Sequence, residues 1–92
     1  MKITVDIPAA LRQYTRNNSE ITVDASNVDD VLVKLDQLFP GLRTFLLDES
    51  RGLRQYVNIF VNENDIRSVD GLRTKLKDGD LVHIIPAIAG GT

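Results

Sequence analysis

The residues best suited to chemistry are the last seven, Pro86-Ala87-Ile88-Ala89-Gly90-Gly91-Thr92, an uncharged run of small residues that closes on a diglycine and one further residue. Glycine has no Cβ, so Gly90 and Gly91 can lie extended in a channel too narrow for other residues, their backbone pressed close to a catalytic group. It also has no stereocentre, so an acyl-adenylate or thioester formed on Gly91 cannot racemise. Such a tail is suited to entering the active site of another protein. A diglycine alone equally describes a frayed terminus, and the rest of the chain has to decide between the two.

The remaining reactive side chains point away from catalysis by the chain itself. His83 is the single histidine and has no cysteine or acidic pair at ligand spacing, so it reads as a residue of an outer sheet face, not as a metal ligand. Asp78-Gly79-Asp80 lacks the rest of a calcium loop and its closing glutamate, and reads as a turn. No Ser-His-Asp spacing or nucleophile elbow is present. The absence of cysteine excludes disulfides, cysteine-ligated clusters, a four-cysteine zinc site and a thiol nucleophile. Any sulfur chemistry here uses imported sulfur. Arg43, Arg51, Arg54, Arg67 and Arg73 are scattered among acids and read as solvated surface.

Ninety-two residues make one domain, able to bury about 60 to 65 per cent of its unfolded surface and to fold without metal or disulfide. A formal charge of −2 with both signs interspersed gives no counterion-release footprint, so nucleic acid is not an expected partner. The start, Met1-Lys2-Ile3-Thr4-Val5-Asp6, has no apolar targeting region, and no run approaches the roughly 18 residues of a membrane span. The expectation is a cytoplasmic protein without membrane attachment.

The elements that must position the tail follow from periodicity. Residues 2–7 alternate with Ile3, Val5 and Ile7 on one face, and Pro8 ends that strand. After a polar loop at 14–19, residues 20–24 alternate again and return beside the first strand. Ser26, three residues before Asp29, predicts a helix cap, with Asp29 and Asp30 in a first turn where the helix dipole favours negative charge. Val28, Val31, Leu32, Leu35 and either Leu38 or Phe39 then form a helical stripe, stopped by Pro40-Gly41, and Leu42, Phe45 and Leu46 repeat one short turn. Residues 55–62 predict a third strand and Asn62 to Asp65 a turn. Ile66 and Val69 fall in a short strand or irregular segment, Leu72 to Leu76 in a short helical turn, and Gly79 turns the chain into a last strand, 81–85.

This order suits an α+β, β-grasp (ubiquitin-like) fold: a mixed sheet, one main helix across one face, and the last strand lying centrally and parallel to the first, because the segment between can supply the crossover. The domain is expected to span residues 1–86 and a flexible Gly-Gly tail residues 87–92. Seven extended residues reach roughly 23 to 25 Å, enough to enter a partner's site from a globule docked outside. If Val57, Ile59, Val61, Val82 and Ile84 pack under the helix, parity sends Phe60, Leu81, His83 and Ile85 to the opposite face near Thr4 and Asp6. That face, continued by Pro86 and Ile88, is the expected partner-docking surface. A covering loop or a second copy of the chain is the alternative.

The run Val57-Asn58-Ile59-Phe60-Val61-Asn62, followed by Leu76 to Gly91 with its Leu-x-Asp-Gly-Asp turn, apolar strand, Pro and terminal Gly-Gly, resembles the ubiquitin-like sulfur carriers of the MoaD/ThiS group. Within the group the chain is most similar to the carrier of a cysteine-biosynthesis pathway, through Val57-Asn58-Ile59, Asp65-Ile66-Arg67, Gly71-Leu72 and Pro86-Ala87-Ile88-Ala89-Gly90-Gly91.

The resemblance implies a protein co-substrate, not an enzyme, with no bound cofactor. An E1-like, MoeB-type adenylyltransferase would spend ATP to adenylate the terminal Gly carboxylate. A sulfur donor would then displace AMP to leave a thiocarboxylate. The sulfur would pass to an activated serine on a pyridoxal-phosphate enzyme, a cysteine synthase homologue, or in the sister pathways to a molybdopterin or thiamine precursor. Carriers of this group act with Gly last, whereas Gly91 here is followed by Thr92. Removal of Thr92 by a JAMM-type metallopeptidase is the expected remedy, the alternative being a residue appended for expression. A ubiquitin-like modifier conjugated through Gly91 would use the same tail, and a plain β-grasp interaction module would use the fold without it.

Overall fold

The computed structural model describes residues 1–50 and 52–86. The chain runs β1 (Lys2–Asp6), β2 (Glu20–Asp24), α1 (Val28–Leu38), α2 (Leu42–Leu46), β3 (Val57–Val61), β4 (Asn64–Asp65) and β5 (Leu81–Pro86), with 3₁₀ turns at Ala9–Tyr14, Ile66–Ser68 and Gly71–Arg73. The strands form one sheet in the order β2-β1-β5-β3-β4. β5 lies parallel to β1 and antiparallel to β3, so the last strand is central, as the crossover argument requires. This is the β-grasp arrangement expected from the order of elements.

Alternation decides the two faces of the sheet. Ile3 and Val5 of β1, Val57 and Ile59 of β3 and Val82 of β5 are fully buried, with Val61 and Ile84 nearly so. They meet Val28, Val31, Leu32 and Leu35 from one stripe of α1. Each such side chain contributes roughly 1.5 to 3 kcal/mol when fully removed from water, so this inner layer holds β5 in place. At the end of the stripe Phe39 is half-buried while Leu38 is half-exposed, so Phe39 continues the core face. Gly41 then adopts a φ of +103°, which turns the chain into α2.

The start of α1 differs from the expected Ser26 cap. Asn27 is the capping residue: its side chain accepts a hydrogen bond from the Asp30 N–H at 2.7 Å, and Asp30 in return accepts from the Ser26 N–H at 3.2 Å. The reciprocal logic of a capping box is kept but begins one residue later. The cause is tertiary. Asn27 bridges Lys75, the Leu76 N–H donates to the Ser26 carbonyl, and the Val28 N–H donates to the Thr74 carbonyl. This pairing holds residues 26 and 27 extended, so the helix cannot begin before Val28.

Other differences are local. Ala9–Tyr14 is a 3₁₀ segment anchored by buried Leu11, and it fills the stretch before the expected 14–19 loop, for which no element was expected. β3 begins at Val57 because Gln55 and Tyr56 form a turn. Asn64–Asp65 pairs with β3 as a two-residue strand inside the expected turn. Ile66 is buried in a 3₁₀ turn whereas Val69 is exposed. Of the expected 72–76 turn only Leu72 and Arg73 are helical, within the 3₁₀ turn Gly71–Arg73, because residues 74–76 are drawn into the pairing with 26–28.

Candidate functional site

The described chain ends at Pro86, and β5 carries it there along the centre of the sheet. Pro86 lies opposite Val57 and Ile85 opposite Asn58 in the β3–β5 register. The turn before β3 is tied down as well. The Arg54 carbonyl accepts from the Val57 N–H at 3.0 Å and from Arg67 Nη2 at 2.9 Å, and Arg67 Nη1 donates to Asn58 Oδ1. One guanidinium thus joins the 66–68 turn to the first residues of β3, beside the point where the chain leaves the sheet. The scattered arginines gave no sign of this, since Arg67 and Asn58 meet only through the fold. Arg54 is also committed, donating to the Thr44 carbonyl through Nε and Nη2.

The face opposite the helix collects the expected surface residues. Strand parity places Thr4 and Asp6 of β1, Asn58 and Phe60 of β3, and Leu81, His83 and Ile85 of β5 together there. Ile85 is 48% exposed, while Phe60, Leu81 and His83 are half-buried. His83 sits between Asp6 and Phe60 in register, and its Nδ1 is 3.1 Å from Asp6 Oδ2. This contact accounts for the lone histidine as a member of the face. Among the described residues no group of three His, Cys, Asp or Glu side chains is placed to hold a metal ion. Pro86 has the inner parity, opposite Val57, and so borders this face instead of lying on it. Ile88, Gly90, Gly91 and Thr92 lie outside the described residues.

Three aromatic rings stand near the same end of the sheet. Phe45 of α2 packs between Tyr14 and Tyr56, with ring centroids 5.7 and 6.2 Å apart. Tilted and edge-on pairs of this kind stabilise by about 0.5 to 1.5 kcal/mol beyond simple burial. They brace the loop that leads into β3 against α2, and through it the strand that pairs with Pro86.

A mixed five-stranded sheet, a helix across one face and a central final strand leading toward Gly90-Gly91 define a ubiquitin-like β-grasp protein. Residues 5–91 match the ThiS family model, and the chain belongs to that family. It is 38% identical to the sulfur carrier protein CysO of Mycobacterium tuberculosis over 93 residues, covering 99% of this chain and 100% of the relative. It is also 35% identical over 68 residues to the small archaeal modifier protein 3 of Haloferax volcanii, covering 74% of this chain and 73% of that one. Among solved structures, a chain of the Amycolatopsis orientalis BexX/CysO complex superposes with a TM-score of 0.91 at 32% identity, covering 97% of this chain and 99% of that one. Among the described residues, no helix is long and apolar enough to cross a membrane.

Proposed function

We propose that this chain is a sulfur carrier that acts as a protein co-substrate, with residues 1–86 as the docking globule and residues 87–92 as the reactive tail. The observation that carries the reading is the conjunction of a central β5 paired with both β1 and β3 and a Gly90-Gly91 sequence that follows that strand a few residues further along the chain. Full-length similarity to a sulfur carrier supports it.

In this reading Thr92 is first removed, because a peptide-bonded Gly91 has no carboxylate to activate. An E1-like adenylyltransferase then joins the Gly91 carboxylate to AMP, releasing pyrophosphate from ATP. A sulfide-level donor attacks the acyl carbon, the C–S bond forms, and the C–O bond to AMP breaks. The product is a thiocarboxylate, whose sulfur is a softer nucleophile than carboxylate oxygen. The likeness to CysO favours cysteine biosynthesis as the receiving pathway, with a cysteine synthase homologue as acceptor enzyme and a JAMM-type metallopeptidase as the trimming enzyme. Phe60, Leu81, His83 and Ile85, bordered by Pro86 and Ile88, form the docking surface in this scheme. No cofactor is bound by the chain, and ATP is used by its partner.

The test is mass spectrometry of a chain ending at Gly91, incubated with the adenylyltransferase, ATP and a sulfur source. The expected result is the mass change of one oxygen-to-sulfur exchange, reversed on supplying an acceptor. A second reading, conjugation of Gly91 to lysines, is favoured by the similarity to an archaeal modifier, and would appear instead as isopeptides on other proteins.

A further inference from the structure

The register of the β3–β5 pair shows which of its rungs carry hydrogen bonds. The Asn62 N–H donates to the Leu81 carbonyl at 2.7 Å, and bonded rungs recur at every second pair of an antiparallel ladder, so Phe60–His83 and Asn58–Ile85 are the next two. Pro86, which has no N–H, and Val57, whose N–H is taken by the Arg54 carbonyl, fall on an unbonded rung, as the pattern requires. β1 pairs with β5 only as far as His83. Beyond that point β3 is, among the described residues, the only strand that holds β5, and Asn58–Ile85 is its last bonded rung before Pro86. Arg67 fastens this rung from the side. Its Nη1 donates to Asn58 Oδ1, and its Nη2 donates at 2.9 Å to the same Arg54 carbonyl that takes the Val57 N–H. The base of the arginine is itself fixed, since Ile66 is buried, the Arg67 N–H donates to Asp65 Oδ1 at 2.9 Å, and Ser68 Oγ donates to the Asp65 carbonyl at 2.8 Å.

We propose that Arg67 is a positioning residue that sets where the tail begins. With Asn58 and the turn before β3 gripped, the Asn58–Ile85 rung stays closed and the chain departs from the sheet at Pro86. Without the grip this rung, the last of its ladder and paired on one side only, opens, and Phe60–His83 becomes the last closed one. The point of departure then moves back by two residues, which adds about 7 Å of extended chain between the globule and Gly91. A longer tether dilutes Gly91 at a site beside which its globule is docked, and admits orientations that do not react. The guanidinium acts through Asn58 and touches no reacting atom, so it is not a catalytic residue. The inference rests on the carrier reading and adds to it the residue that meters the tail.

The test compares the Gly91-ended chain as wild type, Arg67→Ala, Asn58→Ala, the double variant and Asn27→Ala. Two quantities are measured: hydrogen exchange of backbone amides, and single-turnover thiocarboxylate formation across concentrations of the adenylyltransferase. Arg67 is exposed, so its truncation leaves no cavity and the variant is expected to fold. In Arg67→Ala the Asn58 and Ile85 amides should exchange about three- to tenfold faster, with those of Phe60 and His83 unchanged. The maximal rate should fall about two- to fivefold, and the half-saturating enzyme concentration should change by less than that. Asn58→Ala should reproduce part of both effects, and the double variant should be little worse than Arg67→Ala, because the two substitutions remove a shared bond. Asn27→Ala, which weakens the cap of α1, should lower the unfolding midpoint and leave the maximal rate at the wild-type value. Unchanged exchange at Ile85, or faster exchange with a wild-type maximal rate, would overturn the inference while leaving the carrier reading in place. Equal slowing by Asn27→Ala would overturn it in favour of general stability. A wild-type chain that forms no thiocarboxylate would remove the carrier reading, and this inference with it.

Discussion

Val57, fully buried, lies opposite Pro86, so the last described residue of the chain is paired with one of the best-anchored positions in the core. The Val57 N–H is held by the Arg54 carbonyl, which Arg67 also grips. The tail thus starts from a point with little freedom of its own. In the proposed carrier reading, where the chemistry is done inside another protein, that would matter more than any side chain on the globule. A fixed root together with the proposed docking face would convert a search by a terminus into one orientation problem.

Strand parity makes a direct stability prediction. Ile59 on the inner face of β3 is fully buried, whereas Ile85 on β5 points the other way and is 48% exposed. Ile59→Ala is expected to cost about 2 to 5 kcal/mol in urea unfolding, and Ile85→Ala to stay within about 0.5 kcal/mol. Similar losses at both positions would mean that the outer face is covered in the free protein.

The helix start gives a second prediction. Asn27 caps α1 through its side chain, while Ser26 contributes its backbone N–H to Asp30. Asn27→Ala should therefore destabilise by about 1 kcal/mol, and Ser26→Ala should leave the unfolding midpoint close to wild type. A larger effect at Ser26 would restore the cap expected from the spacing to Asp29.

That cap shows what the sequence could and could not disclose. Strands β1, β3 and β5 were legible because Ile3/Val5/Ile7, Val57/Ile59/Val61 and Val82/Ile84 alternate, and alternation survives whatever packs on them. Two adjacent cap-competent residues cannot be ranked by local chemistry. The choice fell to a pairing with residues 74–76, nearly fifty positions along the chain. The 3₁₀ segment at Ala9–Tyr14 and the two-residue β4 were invisible because neither is long enough to show a period. At the site, parity placed Phe60, Leu81, His83 and Ile85 on one face, while the tail expected from composition lies, beyond Pro86, outside the described residues. The Arg67 contacts to Asn58 and Arg54 had no signal, since they exist only once the 66–68 turn folds back over β3.

Asp48 predicts a pH dependence. Its carboxylate accepts the Gly52 N–H at 3.0 Å and the Ser50 N–H at 2.9 Å. These bonds, that from Gly52 foremost, hold its pKa below the ordinary aspartate value against a smaller opposing effect of burial. A carboxyl whose folded pKa is depressed adds stability that is present above its unfolded pKa and is lost as pH falls through the folded one. Asp48→Asn should therefore be less stable than wild type near neutrality, with the difference closing as the solution is acidified below the usual aspartate range. Urea midpoints measured across that interval would show it. A gap that stays constant at low pH would mean that the carboxylate charge contributes nothing to the 48–52 loop.

The tail itself supplies the sharpest prediction. Adenylation needs a free carboxylate on the residue that enters the catalytic channel, and in the full chain the Gly91 carbonyl is an amide to Thr92. The chain ending at Thr92 is accordingly expected to show no thiocarboxylate until Thr92 is removed, while the chain ending at Gly91 reacts at once. Under the carrier reading, Gly91→Ala in that shortened chain would put a Cβ into a channel proposed to be too narrow for one and displace the carboxylate from its position for activation. Misplacement by an ångström costs up to about a hundredfold in rate, so activation should fall by about ten- to a hundredfold with binding of the globule little changed. Single-turnover mass spectrometry, paired with a binding measurement, separates the two quantities. Activation of the Thr92-ended chain without cleavage would show that the reactive carboxylate is that of Thr92, and the diglycine would then serve only as a spacer.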